Sequence, residues 1–423
     1  MPAANTDAED AAVNELLDQR LGNYWIESFL GDGGMARVYL ARHLTLERPC
    51  AIKVLRPSVA ARDPGAVELF LAEARAAAAL VHPHVVALHT IGHEMGYHFI
   101  EMEFVDGASL AHLLGVEGAA SATEATRWMV EVSSALGMAH GHGIIHRDIK
   151  PANIMISLDR RTKLADFGLA KRLVARLEGR EARSLAGTPQ YMAPELFFGV
   201  AADCRSDIYS MGVTYYRLLT GRLPVEFASI ADVVRVHSAP AEVNLDSIRE
   251  GAGEAASRLL RRCLAYDRLE RFSSAVELHD AFRAVYGSLR SLESLAREAV
   301  AETGVQLEGS GDQFVAKVPL EGGRFQRVCL EIADDSGSSD QVITLYSVCA
   351  PIDSRYFRRA LELNSRIPHG SIAIQNVRGE PHFVMSNSYP RNTCDPEEIR
   401  RSLFTIAKYA DEWEQRLTGR DVN

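Results

Sequence analysis

Between His146 and Gly168 the chain reads HRDIKPANIMISLDRRTKLADFG, and four of its side chains have the types needed to work on a phosphate. Asp148 is followed two residues on by Lys150, three further on by Asn153, and later by Asp166 in front of Phe167 and Gly168. Moving a phosphoryl group to a hydroxyl needs an acceptor for the alcohol proton, oxygen ligands for a divalent ion and positive charge on the phosphates. Asp148 can supply the first, Asn153 and Asp166 the second, and Lys150 part of the third. Magnesium takes hard oxygen donors and keeps several waters, so one carboxylate and one amide oxygen beside substrate phosphates make a sensible protein contribution. Taken singly, Asp and Asn more often just make turns. Their combination in this order is what points to a site.

The uninterrupted His-Arg-Asp opening and Asp-Phe-Gly close resemble the catalytic and magnesium loops of eukaryotic-type (Hanks-type) protein kinases. Lys150 and the IKPAN run are similar to the wording of bacterial serine/threonine members, and the resemblance extends over roughly residues 23–286. It implies an α+β chain with a bilobal kinase fold, a small β-rich N-lobe and a large α-helical C-lobe. It further implies ATP and Mg2+ as cofactors, Ser/Thr hydroxyls of proteins as acceptors, and autophosphorylation. In that scheme Asp148 and Lys150 are catalytic, and Asn153 and Asp166 hold the metal.

The elements that must position these groups come before and after them. Leu30 to Val38, which reads LGDGGMARV, sits between two strand-like runs. Glycines let a backbone fold closely over phosphates where side chains would obstruct it. The resemblance assigns nucleotide contacts to Leu30, Gly31, Asp32, Gly33, Gly34, Met35, Ala36, Arg37 and Val38; Ala36 stands where the family has a third glycine. In CAIKVL, strand alternation separates Ala51 from Val54 and presents Lys53, whose desolvated ammonium needs partners. The resemblance supplies them as phosphates and a helix glutamate, Glu73 in preference to Glu68. It also places Ala51 against the nucleotide, Met102 as gatekeeper, and Glu103 to Val105 as a hinge offering backbone groups to adenine. Ser121 and Glu124 have capping-box spacing and open a helix running to about His140. Arg147 is the expected counter-charge for a phosphorylated activation segment, in which Ser184 is the first candidate phosphosite and Thr188 the second. Ser206 and Asp207 open an apolar helix that should be buried. The resemblance implies that Asp207 there accepts from the catalytic-loop backbone and that Arg271 pairs with Glu195.

A chain of 423 residues is too long for one compact core. Residues 1–20 are read as a tail or a helix lying against the next unit, 21–288 as the kinase domain and 289–423 as a smaller α+β domain. That last region alternates helix, three strands, helix, two strands and helix. It resembles type III secretion chaperone-like domains and shows no catalytic constellation, so it is expected to dimerise the chain or hold a protein partner. The net charge of −10 argues against nucleic-acid binding. Six cysteines without paired spacing suit a reducing compartment. No stretch reaches the about 18 apolar residues of a membrane span, and the N-terminus lacks a signal pattern, so the chain is expected to be cytoplasmic. The competing reading is a kinase fold without catalysis that acts as a scaffold. It would ordinarily show a missing Lys, Asp or Asn, and none is missing.

Overall fold

The computed structural model describes residues 16–33, 35–62, 64–167, 189–225, 243–334 and 341–418. Gly34, Ser184 and Thr188 lie outside them, as does the side chain of Glu73. The chain divides into two compact units, Met1–Phe282 and Arg283–Asn423.

The first unit begins with a six-stranded antiparallel sheet: β1 (Arg20–Leu21), β2 (Tyr24–Asp32), β3 (Ala36–His43), β4 (Arg48–Leu55), β5 (Leu88–Glu94) and β6 (Tyr97–Met102), in the order β1-β2-β3-β4-β6-β5. Period-two alternation sends Ile52 and Val54 into one core with Tyr24, Ile26, Tyr39 and Phe99. Leu55 goes to the other face, where α1 (Pro57–Arg62) and α2 (Pro64–Ala78) follow in sequence, and joins Phe70, Ala74 and Ile100. Of the residues expected in an N-terminal tail, Leu16 is buried in the first of these cores, and it sits in a bend rather than a helix.

The helical lobe contains α3 (Leu110–Glu117) and α4 (Ala122–Gly141). Ser121 caps α4 by accepting from Glu124 N at 3.2 Å, and its hydroxyl donates back to the Glu124 carboxylate at 3.0 Å. A three-stranded sheet of β7 (Gly107–Ser109), β8 (Ile154–Ser157) and β9 (Thr162–Leu164) forms in that spatial order. Next come α5 (Cys204–Thr220), α6 (Asp246–Cys263) and α7 (Ala275–Leu289). Helix α5 starts at Cys204, two residues before the expected opening, because Asp203 caps it in a capping box with Ser206. Its face is buried nearly all round, as its apolar density required. A Cβ on Gly212 would lie 2.6 Å from that of Cys263, so the bare glycine is what allows α5 and α6 to approach.

The second unit is a six-stranded antiparallel sheet of β10 (Gln306–Ser310), β11 (Gln313–Pro319), β12 (Phe325–Asp334), β13 (Gln341–Pro351), β14 (Ser371–Val377) and β15 (Glu380–Pro390), ordered β10-β11-β12-β13-β15-β14. One face packs on α8 (Leu292–Val300) and α10 (Pro396–Thr418), around Phe314, Leu330, Leu345, Leu403 and Trp413. Helix α9 (Phe357–Asn364) packs on the edge strand β14. The sequence reading missed β10, whose residues QLEGS are mostly exposed and carry too little alternation to announce a strand. Among the described residues no helix is long and apolar enough to cross a membrane. All six cysteines are free thiols.

Candidate active site

The site is assembled by one fully buried carboxylate that does no chemistry itself. Asp207, near the start of α5, accepts from His146 N at 2.8 Å, Arg147 N at 2.7 Å and His140 Nε2 at 2.9 Å. These bonds hold the loop before Asp148 in an unusual shape. Arg147 has φ +66°, a left-handed conformation that a long side chain seldom adopts. The sequence reading had foreseen Asp207 as the acceptor for this loop.

His146, which the sequence reading gave no role, ties the two loops together. Its Nδ1 accepts from Asp148 N at 3.2 Å, so its Nε2 carries the proton and donates to Ala165 O at 3.1 Å. Burial pushes its pKa down, and the surrounding carboxylates oppose that without reversing it. A neutral imidazole with a fixed tautomer therefore links the Asp148 loop to the residue before Asp166. A second strap lies beside it, as Ala165 N donates to Asn153 O at 2.9 Å.

Within this frame, Asp148 and Lys150 face each other at 3.0 Å. Asn153 ends a 3-10 turn opened by Pro151 and is buried. Its amide nitrogen donates to Asp148 O at 2.8 Å, which fixes the orientation of the amide. Asp166, with φ +57°, is partly exposed and forms an ion pair with Lys53 at 2.7 Å. That ammonium holds the Asp166 carboxyl below the usual carboxylate range. Lys53 comes from β4, where it is opposite Val38 on one side and Ile100 on the other. Residues from the strand sheet and from both loops thus converge.

The glycine-rich turn is a hairpin between β2 and β3, with Gly31 opposite Val38 and Asp32 opposite Arg37. Gly33 N donates to Ala36 O at 2.9 Å, and Arg56 pairs with the Asp32 carboxylate. A Cβ on Gly31 would meet nothing within 4 Å, so the protein itself does not need glycine there; a ligand approaching the backbone would. Leu30 is exposed, and Arg37 and Val38 are half-buried. Met35 and Ala36 do not face that space, being packed with Phe70 and Leu55 in the core under α2. Their expected nucleotide contacts are therefore limited to the backbone.

Ala51 is buried opposite Met102, the last residue of β6. Beyond it the connecting segment is clamped, with Glu103 N donating to Ala87 O at 2.8 Å and the Glu103 carboxylate accepting from Ala87 N at 3.1 Å and Lys163 Nζ at 2.8 Å. Its side chain is thereby directed to β9 rather than to a ligand. Val105 is half-buried. The Lys163 partner was not found from sequence; only the three-dimensional proximity of residue 103 to β9 reveals it. Glu73 belongs to α2 by its backbone. Arg271 and Glu195 form a two-pronged pair with both contacts at 2.9 Å, as expected. Burial alone would raise the Glu195 pKa, but the guanidinium and Ser206 carry it below its ordinary value.

The donor set suits a magnesium–nucleotide. Among the described residues no group of three or more His, Cys, Asp or Glu is placed to cage an ion. One carboxylate and one oriented amide instead leave the remaining positions to phosphate and water, which is how Mg2+ prefers to be held.

A family model described as the protein kinase domain matches residues 24–283. The serine/threonine-protein kinase PknB of Mycobacterium leprae is 36% identical over 259 residues, which are 60% of this chain and 42% of that protein. Serine/threonine-protein kinase pkn3 of Myxococcus xanthus is 36% identical over 292 residues, 67% of this chain and 53% of the relative. PrkC of Bacillus subtilis is 32% identical over 276 residues, 65% and 42% respectively. The chain thus spans about half the length, or less, of these curated relatives. A crystal structure of the Mycobacterium tuberculosis PknI kinase domain is similar at TM-score 0.50 and 30% identity, covering 64% of this chain and 98% of that one.

Proposed function

Since this chain belongs to the protein kinase family, matched over residues 24–283, we propose that it is an active serine/threonine kinase, moving the γ-phosphoryl of ATP to Ser/Thr hydroxyls of proteins, its own included. The observation that carries the proposal is that Asp148, Lys150 and Asn153 are in contact, that Lys53 pairs with Asp166, and that Lys150 lies close enough to act on the Asp166 charge. Asp148 accepts the hydroxyl proton as the oxygen–phosphorus bond forms. Lys150, at 3.0 Å from it, offers positive charge to the transferring group. Lys53 sits where it can exchange Asp166 for phosphate oxygens, and Glu73 is its candidate helix partner. Asn153 and Asp166 would hold the magnesium. When bound, that ion neutralises charge on the phosphates. The backbone of the 30–38 hairpin and of the 103–105 segment would seat the nucleotide.

A single comparison tests this reading. With purified protein, magnesium and γ-labelled ATP, Asp148→Asn should lose at least about two orders of magnitude of label incorporation, the contribution expected of a positioned acid–base group. Equal labelling of the two proteins would refute the role of Asp148. Mapping the labelled positions would also decide between Ser184 and Thr188.

For residues 289–423 the reading is a chaperone-like module that dimerises the chain or binds a protein partner, supported by a helix-covered antiparallel sheet that, among the described residues, holds no cluster of three or more His, Cys, Asp or Glu. Light scattering of the full chain should then give twice 46.5 kDa, and loss of residues 289–423 should halve the stoichiometry. An ATP-dependent reaction together with six free thiols favours the cytoplasm as its compartment.

A further inference from the structure

Strand β14, which reads SIAIQNV, is one edge of the second sheet, and the direction of its backbone groups follows from its pairing. It joins β15 through the turn of Arg378 and Gly379, both at positive φ, so Val377 and Glu380 close the hairpin as a hydrogen-bonded pair. Such pairs alternate along an antiparallel ladder. Ser371, Ala373, Gln375 and Val377 therefore bond to β15, while Ile372, Ile374 and Asn376 turn N–H and C=O outward. Two contacts agree with this. Asn376 is opposite Pro381, which has no N–H to give it, and Ile372 is met from outside by the Asn364 amide, which accepts from its N–H at 2.7 Å and donates to its C=O at 3.2 Å. The N–H and C=O of Ile374 and of Asn376 remain, and no hydrogen bond among the described residues answers them.

Sheet edges are ordinarily guarded by shortness, charge, proline or a bulge. Among the described residues, β1 is two residues long, β5 carries His93, Glu94 and a register shift, and β10 carries Glu308 and a glycine at φ +133°. Strand β14 has no charge, no proline and no shift along its seven residues. Beside it, Phe357, Leu361 and Asn364 lie on one flank of α9, and the Asn364 bonds turn that flank toward β14. Phe357 packs edge-on against Phe383, the residue opposite Ile374. Ile374 is 55% exposed and Leu361 71%, so an apolar seam runs along the open edge.

The open groups are complementary to themselves. About a two-fold axis through Gln375, Ile374 of one copy faces Asn376 of the other, and every open N–H and C=O of both copies is answered. An axis through Ile374 would instead set Asn376 against Ile372, whose groups Asn364 already holds. The first register places no charged residue opposite another, and it sets the apolar flanks of both α9 helices on the same side of the joined sheet. We propose that β14 pairs antiparallel with β14 of a second copy of this chain, with Gln375 on the axis. The proposal rests on the reading of residues 289–423 as a dimerising module and names the surface and register of the dimer.

The full chain tests it. On the axis the two copies of residue 375 form a non-hydrogen-bonded pair with Cα atoms about 4.5 Å apart, within reach of a disulfide. Gln375→Cys should therefore cross-link into a reducible dimer under mild oxidation. Ser371→Cys, on the same strand face but about 27 Å from its own copy across the axis, should not, and the unaltered chain with its six free thiols is the blank. Ile374→Lys, at a side chain already 55% exposed, should melt like the parent yet raise the dimer dissociation constant at least about tenfold in sedimentation over a concentration series. A chain that sediments as a monomer throughout would overturn both the dimerising reading and this surface. A dimer that Ile374→Lys does not weaken, or cross-linking of Gln375→Cys no better than that of Ser371→Cys, would leave the dimerising reading standing and overturn the surface.

Discussion

Replacing Asp207 by Asn removes a charge from the interior while barely changing shape. The carboxylate accepts three bonds, two of them from the backbone of His146 and Arg147 at 2.8 and 2.7 Å. An amide keeps one accepting oxygen and turns an NH2 group toward a donor. The lost charge-assisted bond costs about 1.5–3 kcal/mol, and the buried donor left facing another donor costs about 1–3 kcal/mol more. The expected loss is therefore about 3–5 kcal/mol. At about 2–4 °C per kcal/mol for a unit of this size, the melting temperature should fall by about 6–20 °C. Arg147 holds φ +66° only while its amide is tethered, and such a conformation costs about 1–3 kcal/mol. Once released, the loop can relax, and a shift of about 1 Å at Asp148 is enough to cost about a hundredfold in kcat. Thermal unfolding without ligand, and kcat measured well below the new melting temperature, give the two readouts separately. A melting temperature within about 2 °C of the parent together with an unchanged kcat would refute the claim that Asp207 shapes this loop.

Other perturbations reach other joints of the same frame. Glu103→Gln and Lys163→Met should each raise the KM for ATP about three- to tenfold while leaving kcat within about twofold, because a pair worth about 1 kcal/mol holds the connecting segment rather than the reacting groups; additive effects in the double variant would show that the two side chains are not coupled. Glu195→Gln strands the buried Arg271 and should cost about 3–5 kcal/mol in unfolding experiments at neutral pH. Since the folded-state pKa of Glu195 lies below its unfolded value, its contribution is complete above the usual carboxylate range and is lost as pH falls through the depressed value. The gap in melting temperature between parent and Glu195→Gln should therefore close on acidification, and a gap that widens would contradict the pairing.

The candidate site residues could be proposed from the sequence because phosphate and magnesium chemistry calls for particular residue types in a particular order, which packing does not. The segment from Asp148 to Asp166 carries the candidate acid–base group, amide and carboxylate within one short span, and local signals such as the Ser121 cap and the apolar run of α5 announce the elements around it. The second unit was readable strand by strand wherever alternation was strong, and unreadable at β10, where exposure on both faces erases the period. Long-range partnerships had no such trace. That Met35 and Ala36 turn into the core while Gly31 faces open space depends on the twist and bulges of a hairpin. That Lys163 clamps Glu103 and His146 straps Asp148 to Ala165 depends on chain segments meeting in space. Residue types can state which reaction is affordable to a chain, but hydrogen bonds between segments far apart in sequence decide where each group is held, because their geometry exists only after folding.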